Sequence, residues 1–130
     1  MSGAVMAGCL CGEIRFSVAD LPLMQVLCHC TDCQIISGAA YYCAYLVPLD
    51  TVSLQQGEPA RYDVVADSGR RNSRRFCSSC GSRLWAELDS GVASVNGRCL
   101  DDLDHFQPSH NHLIGSAQSW CQINRDLEEI

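Results

Sequence analysis

The chain has 130 residues and a formal net charge of −6, and all nine of its cationic side chains are arginine. This length is that of one ordinary domain, so we expect a single domain over residues 1–130. The acidic balance argues against a nucleic-acid partner, and the lack of a long apolar run argues against a membrane span or a secretion signal.

The N-terminal half has the pattern of short strands. Three segments show polar–apolar alternation or β-branched and aromatic residues: residues 13–18, 39–47 and 51–55. Residues 24–27 lead into a cluster of cysteines. Residues 31–37 form the one expected helical turn, which Gly38 ends.

The C-terminal half continues with two predicted hairpins. Each consists of two segments that flank an Asp-Ser-Gly turn: 61–66 with 71–76, and 82–88 with 92–96. Residues 100–112 are polar and irregular, and residues 113–120 are a candidate last strand. Residues 125–130 are expected to be a polar tail, either frayed or forming one helical turn. The pattern predicts an all-β fold with little helix.

Ten cysteines occur, and seven of them fall in three short motifs. The spacings are C-x-C, C-x-C-x-x-C and C-x-x-C, which let several sulfurs converge on one metal ion. Such spacing is poorly suited to disulfides between distant strands. Together with the absence of a signal peptide, the motifs predict metal binding in a reducing, cytoplasmic setting.

Two of the motifs have the appearance of two halves of one site. They are Gly8-Cys9-Leu10-Cys11-Gly12 and Cys77-Ser78-Ser79-Cys80-Gly81. In each motif a glycine follows the second cysteine, where a tight turn that aims its amides at a thiolate needs positive φ. Four thiolates complete a tetrahedron, so we predict a structural zinc site. The alternative is four buried free thiols.

The third motif, Cys28-His29-Cys30-Thr31-Asp32-Cys33, offers three sulfurs and has no partner motif left. Three protein ligands with a place for water or substrate are typical of a catalytic zinc. A C-x-x-C redox pair without metal and inert buried thiols are two alternatives. A third is a site closed by a fourth protein ligand, with these candidates: His29, His105, His110, His112, Cys43, Cys99 and Cys121.

Other conspicuous residues have more ordinary interpretations. Arg70-Arg71 and Arg74-Arg75 are interpreted as a charged hairpin face in preference to an anion site. His110 and His112 are expected at the surface, and the tryptophans in the core or a pocket wall. Cysteines outside the motifs are expected to be buried small residues.

The three cysteine motifs, with Ser37-Gly38-Ala39, resemble the glutathione-dependent formaldehyde-activating enzyme family, which includes centromere protein V. Asn96-Gly97, Leu100-Asp101-Asp102, and His112 followed by Trp120 resemble the family's looser C-terminal signature. The resemblance implies an Mss4-like arrangement of small antiparallel sheets with zinc-binding turns. It also implies two zinc ions: a structural one on Cys9, Cys11, Cys77 and Cys80, and a catalytic one on Cys28, Cys30 and Cys33.

The reaction implied by the resemblance is carbon–sulfur bond chemistry, in which glutathione adds to formaldehyde or the adduct breaks down. In our hypothesis a substrate thiol enters the open position of the zinc at Cys28, Cys30 and Cys33, and its thiolate attacks a small carbonyl compound. His29 and Gln34 are candidates to hydrogen-bond the substrate. A thiol redox sensor and a non-catalytic zinc module that binds another protein are the alternative functions.

Overall fold

The computed structural model describes residues 3–65 and 69–130. In these residues the chain forms eleven strands and one α-helix, α1 (Thr31–Ser37). The strands are β1 (Ala4–Gly8), β2 (Arg15–Ala19), β3 (Met24–Cys28), β4 (Tyr42–Pro48), β5 (Ser53–Gln56), β6 (Ala60–Val65), β7 (Arg71–Phe76), β8 (Arg83–Leu88), β9 (Val92–Asn96), β10 (His110–His112) and β11 (Glu128–Glu129).

The strands form two sheets. The smaller has the order β1-β2-β5, and the larger has eight strands in the order β11-β10-β3-β4-β9-β8-β7-β6. All described pairs are antiparallel except those of β10, which runs parallel to both β3 and β11. The predicted all-β class with little helix is confirmed, since 44% of the chain is strand and 15% is helical. The parallel edge is where the larger sheet departs from a purely antiparallel arrangement.

Alternation along the strands gives the larger sheet two different faces. On one face, Tyr45, Val47 and Val95 pack in the main core with Phe16 and Val18 of the smaller sheet, and all five are fully buried. On the other face, a smaller cluster of Val26, Tyr42 and Ala44 packs against residues of α1. The first face therefore holds the two sheets together, whereas the second is available to form a site.

Several predicted boundaries differ from the structure. The strand predicted at 113–120 is wrong, because this segment contains a 3₁₀ turn at Ile114–Ser116. The strand here is β10, and the polar tail forms β11 instead of a helical turn. These very short strands depend on pairing with β3 and with each other, which local residue pattern does not reveal.

Other predictions are confirmed. The helix covers 31–37 and ends at Gly38, whose φ is 65°. Both predicted hairpins pair as expected, β6 with β7 and β8 with β9. The turn residues Asp67 and Ser68 lie outside the described residues. No helix in the described part of the chain is long and apolar enough to cross a membrane.

Candidate metal centres

The first cysteine cluster joins two loops that are far apart in sequence. Cys9 and Cys11 lie in the turn between β1 and β2, and Cys77 and Cys80 lie in the turn between β7 and β8. Their four sulfurs lie within 4.8 Å of one another. Cys9 and Cys77 are also part of the main core, at 7% and 0% exposure. The structure thus brings together the four residues predicted as one site.

Backbone geometry supports this cluster in the way that the sequence predicted. Gly12 and Gly81 have φ of 81° and 79°, so each turn uses the conformation that glycine adopts most easily. The amide of Ile14 donates to Cys9 Sγ at 3.2 Å. Ser82 lies beside Cys80, with its Oγ 3.2 Å from the sulfur, and its hydroxyl and amide lower the pKa of the Cys80 thiol to about 5. These donors favour thiolates.

The sulfur spacing fits a tetrahedral zinc ion. With zinc–sulfur bonds of about 2.3 Å, tetrahedral geometry places the sulfurs about 3.8 Å apart. The Cys9–Cys11 and Cys11–Cys77 sulfur distances are 3.5 Å and 3.8 Å. All ten cysteines are free thiols, so none of the seven in the motifs is engaged in a disulfide. The donor set and spacing could therefore hold a metal ion.

The second cluster is built at the end of β3 and the start of α1. Cys28 ends the strand, Cys30 is the N-cap residue of the helix, and Cys33 lies in its first turn. The amide of Cys33 donates to Cys30 Sγ at 3.2 Å. The three sulfurs lie within 4.8 Å of one another, and in residues 3–65 and 69–130 no fourth histidine, cysteine or carboxylate joins them. This arrangement matches the predicted three-ligand site.

Crowding of these sulfurs perturbs their ionisation. The pKa of Cys30 is lowered to about 2, because the thiols of Cys28 and Cys33 donate hydrogen bonds to it and the charge of Arg74 favours its thiolate. The pKa of Cys33 is raised by its hydrogen bonds to Cys28 and Cys30 and by burial. Three sulfurs this close cannot all ionise unless a cation shares their charge, which is the behaviour of a metal-binding cluster.

The three-cysteine cluster lies in the wall of a cavity of about 450 Å³. The cavity lies on the second face of the larger sheet, beneath α1. Most of its wall comes from apolar side chains of β3, β4, β8 and the helix: Val26, Ile36, Tyr42, Ala44, Leu46, Trp85, Ala86 and Leu88. A small molecule bound here would contact apolar groups and the three sulfurs together.

His29 and Gln34 occupy supporting positions and do not line this cavity. His29 is 1% exposed, and its Nε2 is 3.1 Å from Oδ1 of Asn111. Nε2 of Gln34 donates to the carbonyl oxygens of His29, at 2.8 Å, and Ser116, at 3.0 Å. Both side chains tie the cysteine loop to the C-terminal segment. Their contact with a substrate stays a prediction.

Arg74 and Asn72 are polar residues of the cavity wall that were not singled out from the sequence as site residues, and His112 was named there only as a candidate fourth metal ligand. His112 was expected at the surface, but it is half-buried and pairs in register with Cys28. Its place in the looser C-terminal signature was the available signal. Arg74 was assigned to a charged hairpin face, yet its side chain is only 14% exposed. Among the tryptophans, Trp85 is buried as expected, whereas Trp120 is 69% exposed.

A two-sheet β fold with one four-cysteine and one three-cysteine cluster defines a small β-protein whose clusters could hold metal ions. The chain belongs to the glutathione-dependent formaldehyde-activating enzyme family, whose model matches residues 4–121. The fold is similar to the crystal structure of a Rhodobacter sphaeroides protein, with a TM-score of 0.61 and 19% identity over 75% of this chain and 88% of that chain. At this identity the likeness concerns the fold alone. No curated protein matches the chain.

Proposed function

We propose that this protein is a zinc-dependent, carbon–sulfur lyase-like enzyme that acts on the thiol adduct of a small aldehyde such as formaldehyde. Two zinc ions per chain are proposed, a structural one at the four-cysteine cluster and a catalytic one at Cys28, Cys30 and Cys33. The observation that carries the proposal is the position of the three-cysteine cluster in a cavity wall. Family membership supports a thiol, such as glutathione, as the partner.

Zinc held by three thiolates would bind a substrate thiol and favour its thiolate form. In the direction of synthesis, the thiol sulfur bonds to the carbonyl carbon and the C=O electron pair moves to the oxygen. That oxygen takes up the proton that the thiol loses, so the reaction balances without an oxidant. The reverse reaction breaks the carbon–sulfur bond and returns the proton to sulfur.

His112 is our candidate to carry this proton. Its Nδ1 is 3.1 Å from the main-chain oxygen of Ile130, which can only accept a hydrogen bond. Nδ1 therefore holds the proton of the neutral ring, and Nε2 is left able to accept one. Since His112 lines the cavity and pairs with Cys28, a proton acceptor lies on the same wall as the sulfurs.

The free thiols in all three motifs support a reducing, cytoplasmic location for the protein. In an oxidising compartment, sulfurs as close as those of Cys9 and Cys11, at 3.5 Å, would be exposed to oxidation. Metal binding and a reducing compartment would both protect these cysteine sulfurs from oxidation.

The decisive experiment is metal analysis combined with thiol binding. Wild-type protein purified anaerobically should contain about two zinc ions, and Cys30→Ser should contain about one and lose thiol binding while remaining folded. Cys121→Ser is the matched control, because Cys121 lies outside both clusters. Thiol binding retained by Cys30→Ser would contradict the proposal. One zinc in the wild type, with reversible oxidation of Cys30 and Cys33, would favour the redox-sensor alternative.

A further inference from the structure

The cavity contains a cation whose charge the protein only partly balances. Arg74 pairs in register with Ala86, Ala86 with Ser94, and Ser94 with Leu46. This row places Arg74 on the same sheet face as the apolar cavity wall. Its side chain is 14% exposed, and its one ion pair among the described residues is a long one, 3.9 Å from Asp32. Asp32 itself is 60% exposed.

The neighbouring arginine provides an internal comparison. Arg75 pairs with Trp85 in the sheet, and its Nε donates to Glu87 at 2.9 Å. The same carboxylate accepts a hydrogen bond from Trp85 at 3.1 Å. Arg75 is therefore neutralised by a close partner, whereas Arg74 retains most of its donors for a ligand.

The charge balance of the cavity differs from that of the whole chain. Of the described side chains that line it, three are arginines (Arg74, Arg75 and Arg83) and one is a carboxylate, Asp32, and the sulfurs of the three-cysteine cluster are the other source of negative charge there, in a chain of net charge −6. Oδ1 of Asn72, on the same wall, is buried without a hydrogen-bond partner. The half-buried cation of Arg74 is costly unless an anion satisfies it, whereas the Asn72 oxygen would accept a hydrogen bond from a donor of the ligand. This wall therefore has the chemistry of an anion-binding site.

The location of Arg74 restricts where that anion lies in the ligand. Arg74 lies 3.9 Å from Asp32, the helix residue just before Cys33, and lines the same cavity as the three cysteines, so its charge lies close to the three sulfurs. A ligand whose thiol is bound at the cluster would thus place a carboxylate on Arg74 only if the two groups are a few bonds apart. Most of the remaining wall area is apolar, so it suits an apolar substituent of the ligand.

We infer that the thiol taken by this cavity is an apolar mercapto acid, with its carboxylate bound by Arg74 and its apolar substituent against Leu46 and Leu88. This inference rests on the proposed function and narrows its substrate class. Arginine recognises a carboxylate through charge-assisted and often bidentate hydrogen bonds. The apolar face supplies the rest of the affinity through burial.

The test measures thiol binding to the zinc-loaded protein by calorimetry. The probes are α-mercapto-β-phenylpropionate, its primary amide, thiolactate and glutathione. The phenyl acid should bind roughly tenfold or more tightly than the amide, which lacks the charge, and than thiolactate, which lacks the ring. Arg74→Gln should abolish the preference for acid over amide, whereas Arg61→Gln, an exposed arginine of β6, should leave it unchanged.

The other outcomes of this experiment show whether the inference or the proposed function is wrong. Equal binding of acid and amide by the wild type would overturn the inference, and so would tighter binding of glutathione than of the phenyl acid. Equal losses of acid and amide binding in Arg74→Gln would mean that Arg74 balances the charge of the sulfur cluster and does not select the ligand. These results would leave the proposed function standing, because some thiol still binds. Failure of every thiol to bind would count against the proposed function itself.

Discussion

At the scale of single residues, a histidine beside cysteines can act as a metal ligand or as a proton carrier. The position of His112, which is hydrogen-bonded to Ile130, distinguishes between these two roles. A fourth metal ligand would have to approach all three sulfurs, and His112 does not join the cluster in the described residues. A proton carrier needs only to reach the substrate in the cavity, which His112 lines. The geometry therefore favours proton transfer over metal binding for this side chain.

His112→Gln should slow the interconversion of thiol and hemithioacetal by about a hundredfold or more, the usual contribution of a positioned general acid or base. Thiol affinity should change little, because the metal ligands are intact. Exchange between free and adducted formaldehyde, followed by NMR with a thiol that binds the wild type, measures the rate. His110→Gln is the control, since His110 lies in the same strand but outside the cavity wall. Equal rates in wild type and His112→Gln would contradict this role.

Residues that depend on local spacing were predictable, and residues that depend on register were not. The cysteines within each motif lie only a few positions apart, and Gly38 directly follows the helix that it ends, so local sequence was enough to predict both features. Arg74 reaches the cavity only because β7 pairs with β8 in one register and not the next. A shift of one residue would move Arg75 onto the sheet face that Arg74 occupies, and the sequence alone does not specify this choice.

At the scale of elements, one ion pair joins β2 to the segment that follows β9. Both terminal nitrogens of Arg15 donate to Asp101, at 2.9 Å and 2.5 Å, and the guanidinium lowers the pKa of the Asp101 carboxyl. A lowered pKa in the folded state contributes stability above the unfolded value of about 3.9, and this contribution is lost as the pH falls through the lowered value. The side chains are 31% and 51% exposed, so the contribution is small.

Asp101→Asn should therefore lower the free energy of unfolding by only about 0.5 kcal/mol near neutral pH, as expected for an exposed pair. The difference from wild type should shrink as the pH falls below the unfolded value of about 3.9 and vanish once the pH lies below the lowered folded pKa of Asp101. Denaturant titrations of the two proteins across this range measure it, and any acid-induced loss of metal affects both alike. Asp126→Asn, at an exposed carboxylate without an ion pair in the described residues, should show no such pH dependence. A difference that grows in acid would refute the assignment.

Strand β10 shows why the C-terminal elements escaped prediction. Its three residues alternate two histidines around Asn111, which is 1% exposed. The buried residue of this strand is polar, and its amide is satisfied by His29 and by the carbonyl of Asn124. A polar residue at the inward position reverses the usual pattern of a strand. Only the completed hydrogen-bond network identifies the segment as part of the sheet.

At the scale of the whole molecule, the four-cysteine cluster connects the two sheets. Its first half belongs to the turn between β1 and β2 of the smaller sheet, and its second half to the turn between β7 and β8 of the larger one. Binding of a metal there requires both sheets in place, so the free energy of metal binding is coupled to folding. The cluster should contribute far more to stability than any single packing contact.

Cys80→Ser should lose one metal ion and destabilise the protein by much more than the ~1 kcal/mol of an ordinary substitution. Thermal unfolding measures the effect, with Cys121→Ser as the control of matched chemistry. If Cys80→Ser is insoluble, a strong chelator added to the wild type should lower the melting temperature in its place. Unchanged melting in both experiments would show that the cluster is not a structural metal site.

Strand β4 serves both faces of the larger sheet at once. Tyr45 and Val47 belong to the core between the sheets, whereas Ala44 and Leu46 line the cavity. Adjacent positions of one strand therefore have separate roles, one set in the core between the sheets and the other in the cavity wall. Substitutions in the cavity wall can therefore alter the shape and polarity of the cavity while the core between the sheets and the four-cysteine cluster stay unchanged.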